Sequence, residues 1–166
     1  METIILCGGL GTRLREETEF KPKPMVKIGN RPILWHIMKI YASYGHSEFI
    51  LPLGYNGYMI KEFFFNYELI NNDVSIEMGK QSSVCMHNCH DEDGWKVICS
   101  ETGEQTLKGA RLKRVEKYVE GDTFMLTYGD GVADIDIDRL LDFHKSHGRI
   151  GTVTGVNPLS RFGELV

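Results

Sequence analysis

The sequence predicts an α/β fold in which a mostly parallel β-sheet is flanked by helices on both faces. Three observations carry this prediction: short apolar runs alternate with amphipathic stretches, several of the runs end in glycine, and 166 residues suit one domain. Strands that alternate with helices form right-handed βαβ units, which produce a parallel sheet. We therefore treat residues 1–166 as one domain portion and justify its elements in chain order.

The first strand is predicted at residues 3–7, where a β-branched and aliphatic run leads into glycines, as expected of a buried parallel strand. A helix follows at residues 33–41, because Pro32 suits its first turn, apolar side chains form one stripe and Gly45 ends it. A second strand spans residues 49–53. Pro52 removes a backbone donor there, so we expect this strand near an edge of the sheet, or Pro52 at its end.

The remaining elements continue the alternation. Residues 79–94 are polar and lack a period, so they are predicted to form a surface excursion. Leu112, Val115 and Val119 share one predicted helical face. The predicted helices span residues 58–69, 109–119 and 138–147, and the predicted strands span residues 74–78, 95–99, 123–128 and 150–156.

Charge and composition argue against several classes of protein. A net charge of −4 lacks the surplus of cations that binding to nucleic acid requires. No apolar run approaches the length of a membrane span, and a strand that starts within three residues leaves no room for a signal peptide. We therefore expect a cytoplasmic protein. Its four irregularly spaced cysteines favour neither a disulfide framework nor a zinc site.

A glycine-rich turn, Gly8-Gly9-Leu10-Gly11-Thr12-Arg13, follows the first predicted strand. Glycines let backbone amides approach phosphate closely, and a helix starting near Thr12 would point its positive end at the same place. The spacing fits neither a Walker loop nor the dinucleotide fingerprint. Because Arg13 and Lys23 add two cations, the turn predicts a triphosphate site; the alternative is a tight connection without a ligand.

A second candidate lies at the end of the strand at residues 123–128, where Asp130 stands between Gly129 and Gly131. Ligands bind beyond the carboxyl ends of parallel strands, so this carboxylate shares an edge with the glycine turn. Mg²⁺ commonly takes one or two carboxylates together with substrate phosphates. Asp130 is therefore the candidate metal ligand, the alternative being a turn aspartate bonded to its own backbone.

These motifs give the chain its family resemblance. Through GGLGTRL, KPKPM and YGDG it resembles the sugar-1-phosphate nucleotidyltransferases, and through KPKPMVKIGNRPILWHIMKIY, GYNGYMIKEFF, GARLKRVEKYV, TYGDGVADIDI and RFG it is similar to the glucose-1-phosphate cytidylyltransferases among them. The resemblance implies a Rossmann-like nucleotidyltransferase domain. It also implies a reaction that joins CTP and α-D-glucose 1-phosphate to give CDP-glucose and pyrophosphate with Mg²⁺, within deoxysugar and O-antigen polysaccharide synthesis.

The resemblance also implies roles for single residues. Arg13 would stabilise the departing pyrophosphate and Lys23 would hold the reacting phosphates. Thr106 and Arg111 would contact the nucleotide near its base, and Gly129 would lie beside the metal ligand Asp130. The residues implied to wrap the nucleotide phosphates and ribose are Leu6, Cys7, Gly8, Gly9, Leu10, Gly11, Thr12 and Arg13. A homo-oligomer is implied as well.

Two departures from the family pattern leave alternatives open. Ala110 stands where the family has glycine, next to residues that choose the base, so UTP or dTTP remains an alternative to CTP. Members of the family continue beyond the position of Val166 with a second metal-binding aspartate and most sugar contacts. A nucleotide-binding fragment without catalytic activity is therefore the alternative from another class.

Overall fold

The computed structural model describes residues 1–9, 20–79, 83–87 and 90–156. The chain forms two compact units, Met1–Val132 and Ala133–Val166. The strands are β1 (Thr3–Leu6), β2 (Lys27–Ile28), β3 (Arg31–Pro32), β4 (Glu48–Leu53), β5 (Val74–Glu77), β6 (Ser83–Met86), β7 (Lys96–Glu101) and β8 (Met125–Tyr128). The helices are α1 (Ile33–Ser43), α2 (Gly57–Phe65), α3 (Tyr67–Asn71), α4 (Lys108–Val115) and α5 (Ile137–His147), with 3-10 helices at Lys23–Met25 and Glu116–Tyr118.

Four parallel strands form the central sheet, in the order β7-β4-β1-β8. The register pairs Thr3 of β1 with Phe49 of β4 on one side and with Met125 of β8 on the other. The prediction of a mostly parallel sheet is therefore confirmed. Because the strands run the same way, their carboxyl ends at Leu6, Leu53, Glu101 and Tyr128 lie along one edge, which is where parallel sheets bind ligands.

Helices cover both faces of this sheet, as predicted. Neighbouring strand residues point to opposite faces. One core cluster joins Ile5 and Leu51 to residues of α1 and α2, and the other joins Ile4 and Ile50 to Val115 of α4. Leu112 and Val119 pack against the second cluster. The predicted apolar face is confirmed for Leu112 and Val115, whereas Val119 lies beyond α4, after the 3-10 helix Glu116–Tyr118.

The prediction for Pro52 agrees with the structure. β4 lies next to β7, the edge strand of the described sheet, and Pro52 is the penultimate residue of β4. The Pro52 carbonyl accepts a hydrogen bond from the Cys7 amide at 3.3 Å, so the side of Pro52 that lacks a donor faces β1. The paired register between β1 and β4 ends at Ile4 and Ile50, which limits the number of ladder bonds that the proline interrupts.

Two predicted segments differ in the structure: one helix is interrupted, and part of the surface excursion forms a hairpin. The helix expected at residues 58–69 is interrupted at Asn66, whose backbone amide and side-chain amide both donate to the Glu62 carbonyl. A side chain that bonds to the preceding turn competes with helix continuation.

Within the excursion at residues 79–94, β6 pairs antiparallel with β5, so part of that surface segment is a hairpin that its polar composition did not indicate.

The predicted strand at residues 150–156 does not form. Those residues have no regular secondary structure, and Ile150 and Val153 are fully exposed. Apolar composition alone does not make a strand, because a strand also needs a neighbour for its backbone bonds. The last strand of the central sheet, β8, is also less buried than predicted, since Leu126 and Tyr128 are about half exposed while Met125 is buried.

In the second unit, α5 confirms the predicted helix at residues 138–147. Asp136 caps its first turn by accepting a hydrogen bond from the Arg139 amide at 3.0 Å, and Gly148 ends it with a positive φ of 61°. Across the part of the chain that the structure describes, no helix combines the length and apolarity needed to cross a bilayer.

Candidate functional site

A cavity of about 720 Å³ opens at the carboxyl edge of the sheet. Its walls come from the segment after β1, the 3-10 helix Lys23–Met25, the loop between β7 and α4, and the end of β8. The lining residues include eight that the sequence singled out: Leu6, Cys7, Gly8, Gly9, Lys23, Thr106, Arg111 and Asp130. The cavity is large enough for a nucleotide-sized ligand.

Gly8 and Gly9 form one wall, and they differ in their surroundings. A Cβ on Gly8 would overlap the Arg111 guanidinium, whereas a Cβ on Gly9 would meet no atom of the described residues within 4 Å. The amides of Gly8 and Gly9 have no hydrogen-bond acceptor within the described ranges. Both amides therefore have the character expected of donors to a bound anion.

Lys23 and Asp130 meet at the cavity although 107 positions separate them in the sequence. The Lys23 Nζ donates to the Asp130 Oδ2 at 3.4 Å. Lys23 begins its 3-10 helix between buried Pro22 and Pro24, and the Val26 amide donates to its carbonyl. The ammonium group is thus held on a stiff backbone, with 21% of its side chain exposed.

Gly129 brings Asp130 to this place. The Gly129 amide donates to the Leu6 carbonyl at 3.1 Å, and a Cβ on Gly129 would lie 3.0 Å from both that carbonyl and the Pro24 Cγ. A larger residue would push the end of β8 away from β1. Gly129 is therefore a close-packing position, and its packing places the following carboxylate beside Lys23.

The residues at this edge suit a magnesium ion that is shared with a substrate. Nowhere in the described segments do three His, Cys, Asp or Glu side chains form a group that could hold a metal alone. Mg²⁺ is usually held by one or two carboxylates, with waters and substrate phosphates completing its ligands. A single half-exposed carboxylate, Asp130, next to a phosphate-sized opening fits this type of site.

Arg111 closes the floor of the cavity and is 4% exposed. Its Nη1 donates to the Leu53 carbonyl at 2.8 Å and to the Thr102 hydroxyl at 2.6 Å. Its Nη2 donates to the Gly8 carbonyl at 2.7 Å and to the Glu104 carbonyl at 3.0 Å. Burial is the main cause that lowers the pKa of Arg111, and the nearby charge of Arg114 lowers it further.

The cavity lining also contains Lys108 and Tyr128, to which the sequence assigned no role. Lys108 donates to the Tyr128 hydroxyl at 3.1 Å, with its Nζ 4.8 Å from the centre of the Tyr128 ring. Thr106, which was predicted, accepts a hydrogen bond from the Arg114 Nη1 at 2.7 Å. Tyr128 could have been found from its place in the YGDG motif, as the last residue of a strand. Lys108 had no signal beyond its nearness to Arg111.

Residues 2–164 match the protein family described as Nucleotidyl transferase. The chain belongs to this family. The match spans both compact units and includes the glycine turn, Lys23 and Asp130.

Relatives of this chain include the glucose-1-phosphate cytidylyltransferase of Salmonella typhimurium, which is 51% identical over 166 residues. The probable glucose-1-phosphate cytidylyltransferase of Bacillus subtilis is 45% identical over 165 residues. Each alignment covers 99% of this chain and 64% of the relative. The chain therefore spans about two thirds of the length of these relatives, to which its resemblance is confirmed.

Solved structures confirm the Rossmann-like fold of the nucleotidyl transferase. HddC from Yersinia pseudotuberculosis, complexed with GMP-PN, superposes with a TM-score of 0.61 at 25% identity, over 86% of this chain and 53% of that one. The UTP-bound UGPase from Acinetobacter baumannii gives a TM-score of 0.60 over 89% of this chain and 53% of that one. Its 17% identity supports the fold alone.

The predicted site residues fall into three groups. Eight of them line one cavity, as described above, and Gly129 packs directly behind it. Leu10, Gly11, Thr12 and Arg13 lie outside the described residues, so their roles stay predictions. Cys7 lines the cavity but is fully buried in the core, and burial raises the pKa of its thiol, which favours a packing role.

Proposed function

We propose that this chain carries the nucleotide-binding part of a glucose-1-phosphate cytidylyltransferase, which converts CTP and α-D-glucose 1-phosphate to CDP-glucose and pyrophosphate. The observation that carries the proposal is the meeting of Lys23 and Asp130 beside the glycine turn. A cation, a carboxylate and backbone amides that have no acceptor among the described residues, all at one opening, suit a metal-bound triphosphate. The 51% identity to a cytidylyltransferase supports CTP and glucose 1-phosphate as the substrates.

The proposed chemistry needs positioning and charge compensation more than proton transfer. A phosphate oxygen of the sugar phosphate is already ionised and attacks the α-phosphorus of the nucleotide in line, so no general base is required. Negative charge grows on the pyrophosphate as the bond to the α-phosphorus breaks. Lys23 acts as a fixed point charge between the reacting phosphates, and its stiff backbone lowers the entropy of holding it there.

Other groups complete the charge compensation. The amides of Gly8 and Gly9 donate to phosphate oxygens, and Arg13 is assigned to the leaving pyrophosphate by the family resemblance. Asp130 is the residue that would hold Mg²⁺. When bound, the ion supplies positive charge that offsets the phosphates and orients them.

The choice of base is assigned to the wall that contains Thr106 and Lys108. Both line the cavity, together with Gln105, and a base can be recognised by hydrogen bonds to its edge. Preference for CTP over UTP or dTTP is supported by the identity to cytidylyltransferases. We also propose that the protein self-associates, which light scattering during gel filtration tests directly.

The function is tested with the purified chain, Mg²⁺, glucose 1-phosphate and CTP, UTP or dTTP in turn, with coupled detection of released pyrophosphate. Release with CTP supports the proposal, and release only with another nucleotide transfers it to that base. Calorimetric titration with Mg²⁺ and CTP is run in parallel. Binding of CTP without turnover leaves the nucleotide-binding role and removes the catalytic one, whereas absence of binding by folded protein overturns both.

A further inference from the structure

The loop at residues 102–106 follows β7 and supplies part of the cavity lining, including Thr106. Its first residue is anchored to the central sheet. The Thr102 amide donates to the Leu53 carbonyl at 3.1 Å, and the Thr102 hydroxyl donates to the same carbonyl at 2.6 Å. Thr102 is 1% exposed. The loop therefore starts from a fixed point at the end of β4.

Arg114 of α4 ties the other end of this loop to the same fixed point. Its Nη1 donates to the Thr102 carbonyl and, at 2.7 Å, to the Thr106 hydroxyl. Both N–H groups of that nitrogen are then used, one at each end of the loop. Arg114 is exposed and is not among the residues that line the cavity. Its hydrogen bonds can therefore affect a ligand only through the loop.

Gly103 leaves space for this clamp. Its φ of 84° lies in the left-handed region, which favours glycine. A Cβ there would lie 3.0 Å from the Thr106 Oγ1 and 3.2 Å from the Arg114 Nη1. A side chain at this position would therefore be strained and would crowd the hydroxyl and its donor together. The turn at Gly103 and the contact between Thr106 and Arg114 depend on each other.

The bond from Arg114 decides what the Thr106 hydroxyl can offer to a ligand. A hydroxyl has one proton and two lone pairs. Here the guanidinium occupies a lone pair, and among the described residues no acceptor takes the proton. A hydroxyl that accepts from a cation is also a stronger donor, because the two bonds polarise each other. Thr106 therefore offers an O–H donor, which selects a hydrogen-bond acceptor on the ligand.

The charges around the cavity indicate which part of a nucleotide Thr106 meets. Lys23, Asp130 and the glycine turn suit the phosphates and their metal ion. Residues 105–107 line the same cavity and include no charged side chain. An uncharged pyrimidine with acceptors on its edge suits this segment. Cytosine has acceptors at O2 and N3, whereas uracil keeps O2 but has an N–H group at N3.

We infer that Arg114 is a positioning residue for base recognition: it holds the Thr106 hydroxyl as a hydrogen-bond donor to an acceptor atom of the pyrimidine. This inference rests on the proposed function, since it assumes that the cavity takes a pyrimidine nucleotide. It extends the role near the base that the family resemblance implied for Thr106 to a residue outside the cavity lining.

Titrations of CTP, UTP and inorganic triphosphate, each with Mg²⁺, separate contacts to the base from contacts to the phosphates. Thr106→Val removes the hydroxyl, and Arg114→Met removes its donor. Each variant is expected to weaken CTP binding by about two- to tenfold, as the loss of one hydrogen bond implies, and to leave the affinity for inorganic triphosphate unchanged. Lys113→Ala removes a positive charge from the exposed side of the same helix, so it is the matched control and leaves all three affinities unchanged.

The combined variant shows whether Arg114 acts through Thr106. In Thr106→Val protein, Arg114→Met is expected to cause no further loss of CTP affinity, because the hydroxyl that it holds is absent. Gly103→Ala keeps both charges and crowds the same contact, so it should also weaken CTP without affecting inorganic triphosphate. Thr106→Ser retains the hydroxyl and should bind CTP like the wild type. An equal loss for UTP and CTP identifies O2 as the acceptor, and a smaller loss for UTP identifies N3.

Three outcomes overturn the inference. CTP affinity that stays unchanged in Arg114→Met would mean that the clamp has no effect on the ligand. An equal loss for CTP and inorganic triphosphate would mean that the loop supports the phosphates. Additive losses in the combined variant would mean that Arg114 acts independently of Thr106. Circular dichroism establishes that each variant is folded before titration.

A measurement without ligand distinguishes failure of this inference from failure of the proposed function. Three-bond NMR couplings to the γ-methyl group of Thr106 report its χ1 angle. Because Arg114 holds the hydroxyl, the side chain is expected to occupy one rotamer in the wild type and to average over rotamers in Arg114→Met. If no nucleotide binds, the proposed function fails, and the couplings still decide the positioning role. Identical couplings in the two proteins overturn it.

Discussion

Replacing Lys23 by alanine should weaken ligand binding strongly while hardly affecting stability. The ion pair with Asp130 has an Nζ–Oδ2 distance of 3.4 Å, and 43% of the Asp130 side chain is exposed. Pairs of this kind contribute about 0–1 kcal/mol to the free energy of unfolding. Toward a phosphate the same ammonium offers a charged hydrogen bond of about 1.5–3 kcal/mol, which corresponds to a loss of about 10- to 150-fold in affinity.

Calorimetry with Mg²⁺ and CTP measures the affinity, and urea unfolding measures the stability. Lys21→Ala is the matched control, because Lys21 belongs to the same Lys-Pro-Lys-Pro segment but is exposed and does not line the cavity. Both variants remove one positive charge, so long-range effects of net charge cancel in the comparison. If the two variants bind CTP equally well, Lys23 has no local role and the reasoning fails.

Three further predictions concern the metal, the glycines and a buried thiol. Without Mg²⁺, Asp130→Asn should strengthen CTP binding, because it removes a negative charge beside the phosphates. With Mg²⁺, the same change should weaken CTP binding, because it removes a ligand of the ion. A change of the same sign in both titrations would count against a metal at Asp130. Gly8→Ala should lower the free energy of unfolding by about 1–3 kcal/mol, because the added Cβ overlaps Arg111. Gly9→Ala should lower it by less than about 0.5 kcal/mol. Equal losses for the two variants in urea unfolding would contradict the packing of the turn. Burial raises the pKa of Cys99 from 9.0 to about 11. The stability that its protonated thiol confers is therefore complete below pH 9 and declines toward pH 11. If the unfolding free energies of wild type and Cys99→Ala run parallel from pH 9 to pH 11, this prediction is wrong.

The sequence was a good guide wherever neighbouring residues decide the structure. The apolar run before Gly8, the stripe of α1 ending at Gly45, and the stripe of α4 all follow from local period and punctuation. The convergence of Lys23 and Asp130 was also within reach, because the carboxyl ends of parallel strands share an edge. Roles of residues 10–13 stay predictions, since they lie outside the described part of the chain.

The predictions of secondary structure failed where a segment distant in sequence decides whether a strand forms. Residues 150–156 have the composition of a strand but no strand neighbour among the described residues, whereas residues 83–86, inside the predicted surface excursion, form β6 because β5 lies beside them. Pro52 is tolerated inside the sheet because its register with β1 is short. None of these outcomes is encoded within a window of ten or so residues, because they depend on which segments meet.

Local chemistry therefore determined the class of this protein: a glycine turn after a buried strand, a cation between prolines and a carboxylate between glycines follow from residue types and spacing alone. Only the tertiary structure decided what Arg111 and Gly8 do. A guanidinium takes its role from the acceptors around it, and here those acceptors come from three strand ends that the chain brings together over as many as 103 positions. Hydrogen-bond partners at such separations are set by the packing of the whole sheet, which no local pattern records.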